Sequence, residues 1–508
     1  MSMPAEILTA NKTLAQLLRG LGDAPAIVLT GISTDSRTLQ EGDVFLACQG
    51  ATSHGIDFLD QAITANVAAV VWDSATAADV ESGLGSVPMI PIEGLAGHIG
   101  TIANRWFDTP SRSVRIAAVT GTNGKTTVAY LIAKCQQLLE HKCGYIGTLG
   151  SGIDAIEGAG GMTTPACIEL NTLLAAFRDQ GVRRAAIEVS SHALQQKRVD
   201  GMYFDAAIFT NLSRDHIDYH GDMRAYGEVK ARLFLDNDIN NRIICIDSEF
   251  GAELAARCSG NVIAVSTQLG WEGNGTSFVR VCSVDTNAAG SRISIESSWG
   301  SAEIDLQLPG EFNVTNALEV LALLLSWDTP LDDACAILGQ VSAPPGRMEL
   351  VKPGQHEQLP AVYIDYSHTP ASLEAALNAL RAHCVGELWC VFGCGGDRDR
   401  GKRPLMGEIA RRLADHAIVT NDNPRSEAPA QIVADITAGM GSDAVVIEDR
   451  RAAIAHAVSV AGSNDIVLVA GKGHENYQII GEQREVFSDL ETAAASLLTR
   501  LHEVAAGK

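Results

Sequence analysis

The sequence predicts an α/β protein of three domains. Three observations carry this. A chain of 508 residues exceeds one ordinary core, and its length suggests roughly three. Between Arg115 and Gly144 an apolar run, a glycine-rich turn, Gly-Lys-Thr and a helical run follow one another, the context of a phosphate-binding loop. Beyond residue 343, short apolar runs alternate with helical periodicity, the pattern of a mostly parallel sheet. The expected parts are a small N-terminal α/β domain (1–97), a central P-loop mononucleotide-binding domain (98–342) and a C-terminal Rossmann-like doubly wound domain (343–508).

Composition narrows the function classes. The apolar fraction of 46% is ordinary for a globular chain. No apolar run reaches bilayer length, and the N-terminus lacks a signal-peptide pattern. Eleven cysteines are scattered without a C-x-x-C pair, which reads as reduced thiols in a cytoplasmic protein. A net charge of −23 argues against nucleic acid as the main partner. Anionic small molecules still bind where local basic clusters exist.

The first 97 residues give Thr13 as N-cap of a helix over 14–19, a polar strand end or turn over 32–37, a strand at 43–47, a helix at 60–68 and a strand at 69–72. The Asp35-Ser36-Arg37 step and the loop from Gly50 to Gly55 carry polar groups, but by themselves they read as ordinary loops. In the central region Arg115–Thr120 is a buried strand. A helix follows over Val128–His141, with Leu131, Ile132, Cys135, Leu138 and Leu139 on one side and Gly144 as its stop. Strands at 184–189 and 206–210 alternate with helices, and residues 262–308 alternate as antiparallel strands do. An apolar helix opens after Gly310 and runs through Leu325. Ala343-Pro344-Pro345-Gly346-Arg347 marks a junction. Strands are then expected at 361–365, 388–392, 417–420, 444–447 and 466–470, with ligands at their C-terminal ends.

The chemistry concentrates at strand ends. In Gly121-Thr122-Asn123-Gly124-Lys125-Thr126-Thr127 the glycines let backbone N–H groups approach phosphate oxygens, and the helix N-terminus adds its positive end. Lys125 supplies a mobile charge, and the Thr126 hydroxyl is placed for a magnesium ion. The loop is shorter than G-x-x-x-x-G-K-T, because Val119 stands where the first glycine would be. Glu188, at the end of the next strand, is a carboxylate suited to the same metal. His216 and His220 have a spacing that zinc uses on a helix, but no third ligand accompanies them, and a magnesium site beside phosphates fits better. Lys230 falls inside the apolar stripe of Met223, Tyr226, Leu233 and Phe234; periodicity alone reads it as a lysine whose ammonium snorkels to the surface.

In the last domain three strand ends carry charged turns: Gly393 to Pro404 with Arg398, Asp422-Asn423-Pro424-Arg425, and Gly471-Lys472-Gly473-His474-Glu475. The mixture of signs suits a zwitterion. Arg398 and Arg425 can clamp carboxylates, and Asp422 or Glu475 can receive an ammonium.

Taken together, the phosphate loop, Glu188-Val-Ser-Ser-His192, Asn211-Leu-Ser-Arg-Asp-His216, Asn313 with Asn316, Asp365-Tyr-Ser-His368, Asp422-Asn-Pro-Arg425 and Gly471-Lys-Gly-His-Glu475 resemble the Mur ligases over nearly the whole chain, most closely the MurE type that adds the third amino acid to the peptidoglycan precursor. The short phosphate loop is that family's own form. The resemblance implies ATP on Gly121 to Thr127, with Asn313 and Asn316 toward the adenine and Arg347 and Asp365 closing over the nucleotide. It implies one magnesium on Thr126 and Glu188 and a second on His216, with Lys230 a CO2-derived carbamate that also ligates metal. The UDP-sugar peptide would contact Thr34, Ser36, Ala51, Thr52, Ser53, Thr163, Thr164, Ser190, Gln196 and Arg198. Met162 departs from relatives with Asn before the threonine pair.

The Asp-Asn-Pro-Arg stretch resembles that of enzymes using meso-diaminopimelate rather than L-lysine, and implies contacts from Arg398, Asp422, Asn423, Pro424, Arg425, Gly471 and Glu475. Diaminopimelate carries one more carboxylate. Two charge-assisted hydrogen bonds of about 1.5–3 kcal/mol each discriminate by on the order of 100-fold or more. The implied enzyme is an ADP-forming acid–amino-acid ligase working through an acyl phosphate, as a monomer on small-molecule substrates, with domain closure joining amine and acyl group. The competing readings are a lysine-adding ligase, a folylpolyglutamate synthase, and a P-loop ATPase switch acting on a protein partner.

Overall fold

The computed structural model describes residues 12–50, 53–76, 87–158, 161–273, 276–287, 290–352, 358–441 and 444–505. Backbone packing divides the chain into two compact units, one of Met1–Lys125, Glu140–Arg242 and Glu253–Asn261, the other of Thr126–Leu139, Ile243–Ala252 and Val262–Lys508.

The first unit opens with helix α1 (Leu14–Leu17), capped by Thr13 as expected: Thr13 Oγ1 accepts from Gln16 N at 3.3 Å and Gln16 Oε1 accepts from Thr13 N at 2.8 Å. Strands β1 (Ile32–Ser33), β2 (Val44–Ala47), β3 (Ala69–Asp73) and β4 (Met89–Ile92) pair in chain order, all parallel. The sequence reading does not anticipate β4 or helix α3 (Ile99–Trp106); α2 (Leu59–Thr64) is shorter than expected. Leu14, Leu17, Val44, Leu46, Val71 and Trp106 share one core.

Strand β5 (Arg115–Thr120) precedes the glycine turn, and helix α4 (Lys125–Leu138) follows it. The helix starts three residues earlier than the periodicity predicts. It is buried on nearly every face, including Thr126, Thr127 and Gln136, whereas Leu138, expected inside, is exposed. Gly144 is not a helix stop. It lies within strand β6 (Cys143–Gly147), where a Cβ would meet the Phe177 ring at 2.3 Å. Strands β7 (Gly150–Gly152) and β8 (Ile156–Glu157), helix α5 (Cys167–Asp179), strand β9 (Arg184–Glu188), helix α6 (Ser191–Gln195), strand β10 (Phe204–Phe209), and helices α7 (Ile217–His220) and α8 (Met223–Leu235) complete this part. Six of its strands run β10–β5–β9–β6–β7–β8, parallel from β10 to β6 and antiparallel beyond. The mostly apolar runs of β5, β6, β9 and β10 follow from burial on both faces.

Strand β11 (Ile239–Cys245), helix α9 (Glu249–Arg257) and strand β12 (Asn261–Ser266) carry the chain between the units. In the second unit β13 (Ser277–Asn287), β14 (Gly290–Ser297) and β15 (Gly300–Leu306) form the expected antiparallel meander. The strand that begins the 262–308 stretch departs from expectation, because β12 pairs with β13 in parallel. Alternation reports which faces are buried, not strand direction. Helices α10 (Glu311–Ser326) and α11 (Leu331–Leu338) follow.

The chain then forms β16 (Glu349–Leu350), β17 (Ala361–Asp365), α12 (Pro370–Arg381), β18 (Leu388–Phe392), α13 (Lys402–Leu413), β19 (His416–Val419), α14 (Pro429–Thr437), β20 (Val445–Val446), α15 (Arg450–Val460), β21 (Ile466–Ala470), the hairpin β22 (Tyr477–Ile480) and β23 (Gln483–Val486), and α16 (Asp489–Ala505). The sheet order is β16–β17–β21–β18–β19–β20, parallel except for β16. Separate apolar cores cover its two faces, one around Leu377, Phe392 and Met406, the other around Trp389, Ile454 and Leu497, so the sheet is doubly wound as predicted. Among the described residues no helix is long and apolar enough to cross a membrane. All eleven cysteines are free thiols.

One buried ion pair ties this sheet together. Arg450 Nε and one terminal nitrogen donate to the two Asp489 oxygens at 2.7 Å each, that terminal nitrogen also donates to the Ala470 carbonyl at 2.9 Å, and both side chains are fully buried. Removing one partner leaves an unpaired buried charge. Arg450→Met is therefore expected to cost about 3–5 kcal/mol, read as a lower denaturant midpoint; an unchanged midpoint would show that the pair contributes nothing net.

Candidate active site

The glycine turn is held by its neighbours before any ligand arrives. Gly121 has φ +149° and Gly124 φ +86°, and a Cβ on Gly121 would lie 2.0 Å from Thr210 Oγ1. Thr122 N donates to the Asn211 carbonyl at 2.9 Å, and Asn123 N to Asn211 Oδ1 at 3.0 Å. Thr210 Oγ1 donates to the Asn123 carbonyl at 2.5 Å, and Ser213 N to Thr122 Oγ1 at 2.9 Å. Lys125 curls back over the turn, its Nζ donating to the Gly121 and Thr122 carbonyls at 3.0 and 2.8 Å.

A second lysine reaches the same turn. Lys230 on α8 is only 1% exposed, and its Nζ donates to the Gly121 carbonyl at 2.8 Å, 4.4 Å from the centre of the Tyr226 ring. The snorkelling expectation is thus overturned: the stripe faces inward and the ammonium has no route out. Burial, reinforced by the charge of Lys125 and opposed by Asp215, holds this amine well below the usual lysine range.

Glu188 ends β9 and is fully buried. Its Oε1 accepts from Tyr145 Oη at 2.6 Å and from Thr148 N at 2.8 Å, and its Oε2 accepts from Thr148 Oγ1 at 3.1 Å. A Cβ on Gly147 would lie 2.2 Å from Oε1. Tyr145 and Thr148 were not anticipated, since a tyrosine inside an apolar run reads as core. Around this carboxylate the structure gathers Thr163, Thr164, Ser190, Gln196 and Arg198. Thr164 Oγ1 donates to the Glu188 carbonyl at 2.7 Å, Ser190 N donates to Thr164 Oγ1 at 3.0 Å, and Thr148 Oγ1 bonds Thr163 Oγ1 at 3.2 Å. Arg198 donates to the Thr164 carbonyl at 2.8 Å and to Gln196 Oε1 at 2.5 Å, and Gln196 reaches Tyr219 Oη at 3.3 Å.

His216 adopts a left-handed backbone (φ 52°) just before α7, and its ring packs 4.8 Å from that of His192. His220 Nε2 sits 3.0 Å from Ser191 Oγ. Among the described residues no three His, Cys, Asp or Glu side chains are arranged to hold a metal ion. In the N-terminal sheet, Asp35 caps a short 3-10 turn over Ser36–Thr38 and pairs with Arg37 at 2.7 Å; Thr34 is exposed and Ser36 and Ser53 half-buried. Ala51 and Thr52 lie outside the described residues.

The second unit carries the remaining candidates. Asn313 and Asn316 are buried on α10, where Asn316 Nδ2 donates to Asn313 Oδ1 at 3.1 Å and Asn313 Nδ2 to the Pro309 carbonyl at 2.8 Å. Asp365 holds the residue 346–348 turn: its Oδ2 accepts from Met348 N at 2.7 Å, and its Oδ1 accepts from Ser367 N at 2.9 Å and from Ser367 Oγ. The Arg347 guanidinium lies 4.4 Å over the Tyr366 ring, and burial beside Arg347 pushes His474 down to about 4.

The C-terminal strand ends converge. Arg425 has a left-handed backbone (φ 53°) bonded to the β22–β23 hairpin through the Ile479 carbonyl (3.1 Å) and Gly481 N (2.8 Å). One of its terminal nitrogens donates to the Gly396 carbonyl at 2.7 Å. Cβ atoms on Gly395 and Gly396 would lie 2.8 Å from that nitrogen and 1.8 Å from the Pro424 carbonyl, which is why this loop needs glycine. A Cβ on Gly471 would lie 2.5 Å from Asp422 Oδ2. Asn423 Nδ2 donates to Glu475 Oε2 at 2.9 Å. Arg398 is exposed at the rim. Arg403, expected in the charged loop, instead opens α13 fully buried and paired with Glu427 and Asp435 at 2.8 and 2.9 Å, holding the Glu427 carboxyl down to about 2.

Known proteins share this arrangement. Three domain models match in order: Mur ligase family, catalytic domain, over 28–107; Mur ligase middle domain over 119–324; and Mur ligase, glutamate ligase domain, over 346–473. The chain is 42% identical over 497 residues to the UDP-N-acetylmuramoyl-L-alanyl-D-glutamate–2,6-diaminopimelate ligase of Coxiella burnetii, covering 96% of this chain and 100% of that one. The chain belongs to the Mur ligase family.

The similarly named ligase of Ectopseudomonas mendocina is 43% identical over 474 residues, covering 93% of this Mur ligase and 95% of the relative. A solved 2,6-diaminopimelate ligase structure matches with a TM-score of 0.70 at 31% identity over 97% of this chain and 100% of that one. The three-domain α/β architecture read from the sequence is that of the Mur ligases. Lys472 was read within its motif but given no role.

Proposed function

We propose that this chain is the ligase that adds meso-2,6-diaminopimelate to UDP-N-acetylmuramoyl-L-alanyl-D-glutamate with conversion of ATP to ADP, in cytoplasmic peptidoglycan precursor synthesis, acting as a monomer. The observation that carries this reading is identity of 41–43% over 92–98% of the chain to ligases so named. Residues 1–97 serve the nucleotide-sugar, 98–342 ATP, and 343–508 the amino acid.

The residues fit the groups the reaction needs. Magnesium takes mostly hard oxygen donors, one or two carboxylates completed by phosphates and water; Thr126, Glu188 and a Lys230 carbamate would offer such oxygens, and His216 one ring nitrogen beside them. CO2 adds only to an unprotonated amine, and the burial of Lys230 disfavours its protonated form. When bound, magnesium neutralises charge on the transferring phosphoryl group.

The chain's own groups do the rest. Gly121 to Thr127 hold the triphosphate, and Lys125 leaves its carbonyl partners to meet phosphate oxygens. Asn313, Asn316, Arg347 and Asp365 hold the nucleoside. Thr34, Ser36, Ala51, Thr52, Ser53, Thr163, Thr164, Ser190, Gln196 and Arg198 bind the UDP-sugar peptide and present its terminal carboxylate. That carboxylate attacks the γ-phosphorus, the bond to the β-phosphate oxygen breaks, and ADP leaves. The diaminopimelate amine, aligned by Arg398, Asp422, Asn423, Pro424, Arg425, Gly471 and Glu475, attacks the acyl carbon. Phosphate departs as the amine loses its proton.

The test is a ligase assay with the UDP-sugar dipeptide, ATP, magnesium and a panel of amino acids. Diaminopimelate-dependent phosphate release with a new amide product is expected. Turnover with lysine but not diaminopimelate would reassign the substrate, and robust hydrolysis without any amino acid would favour an ATPase switch.

A further inference from the structure

We infer that Lys472 is a positioning residue of the amino-acid site: it fixes the Asn423 amide and occupies one oxygen of Glu475, leaving the other to take the ammonium of the incoming amino acid. This rests on the assignment of that site to the amino acid.

Lys472 lies two residues past β21 and is 0% exposed. Its Nζ donates to Asn423 Oδ1 at 3.0 Å and to Glu475 Oε2 at 3.3 Å, with the Tyr477 ring centre 5.6 Å away. A lysine is buried this deeply only when paired, so the ammonium here serves its two partners and not solvent.

The consequence for Asn423 is a single amide orientation. Its Oδ1 accepts from Lys472 Nζ and from Ile479 N, both at 3.0 Å. Flipped, the amide would point its NH2 at two donors. Nδ2 is thereby aimed at Glu475 Oε2, which it reaches at 2.9 Å.

Glu475 is consequently asymmetric. Oε2 takes two donors, one of them cationic, while Oε1 takes no hydrogen bond among the described residues. The Glu475 backbone N–H also donates to the Lys472 carbonyl at 3.0 Å, so one turn carries both members of the pair. The two donors to Oε2, one of them cationic, fix the direction of Oε1. An ammonium approaching Oε1 meets an acceptor already aimed, with no side-chain ordering left to do.

The experiment compares KM values for diaminopimelate, ATP and the UDP-sugar dipeptide in wild type, Lys472→Met, Lys472→Gln and Asn423→Asp, with folding checked by circular dichroism. Lys472→Met should raise KM for diaminopimelate by about tenfold or more, the value of one charge-assisted contact, with the other two KM values within about twofold. Lys472→Gln keeps a donor and loses the charge, so it should recover part of the affinity. Asn423→Asp leaves Lys472 in place and removes the donor to Oε2; it should also raise KM for diaminopimelate, and it carries the test should the Lys472 variants fail to fold. An unchanged KM for diaminopimelate, or a parallel rise in all three, overturns the inference. Wild type forming product only with another amino acid overturns the substrate assignment instead, and the variants are then read with that amino acid.

Discussion

Lys230→Ala is expected to reduce ligation by about 10²–10³-fold or more, the scale of losing one preorganised electrostatic group, with partial recovery when short carboxylates are added. The geometry explains the size. The amine is buried at the Gly121 carbonyl, in the turn proposed to hold the triphosphate, and its burial beside Lys125 disfavours the charged form. An unprotonated buried amine is able to add CO2, which replaces a costly cation by an oxygen ligand for metal. Alanine removes the ligand and opens a cavity about the length of that side chain, into which acetate or formate fits. Activity of the variant should therefore rise with added carboxylate, whereas that of wild type should not. A variant with wild-type activity, or one that carboxylates leave unmoved, would refute the carbamate role.

Arg425→Ala is expected to raise KM for diaminopimelate on the order of 100-fold while leaving KM for ATP within about twofold, because two charge-assisted hydrogen bonds to the distal carboxylate are lost. One guanidinium nitrogen already donates to the Gly396 carbonyl, and the backbone is pinned to the hairpin at Ile479 and Gly481. The fork thus has a fixed anchor from which to meet the proposed carboxylate. Arg425→Lys should restore little, since an ammonium cannot keep the Gly396 bond and present a bidentate face together. Equal loss of affinity for lysine and diaminopimelate in Arg425→Ala would place the distal carboxylate elsewhere.

Much of the site is legible in the residues because its chemistry is local. The phosphate loop is seven consecutive residues, and each C-terminal strand end carries its charges within five or so positions of the strand. Lys230 shows where that local reading stops. Its place in an apolar stripe is visible, yet a stripe does not say whether the side chain has a path to water, and only packing against the Gly121 turn removes that path. Gly144 fails for a related reason: glycine marks either a stop or a close approach, and the Phe177 ring selects the second. Tyr145 and Thr148 were illegible as ligands of Glu188, because they stand some forty residues from it and look like sheet core.

By itself the sequence determined the α/β class, many of its strands and helices, the glycine turn after β5 and the charged strand ends, since periodicity, glycine placement and short charged motifs act over a few residues. The tertiary structure alone decided which neighbours close over those groups: Lys230 sealed against Gly121, Tyr145 and Thr148 on Glu188, and Lys472 between Asn423 and Glu475. The physical reason is that burial and hydrogen-bond partnership are properties of side chains brought together from distant positions, and no local pattern encodes which distant carbonyl or carboxylate a buried lysine will meet.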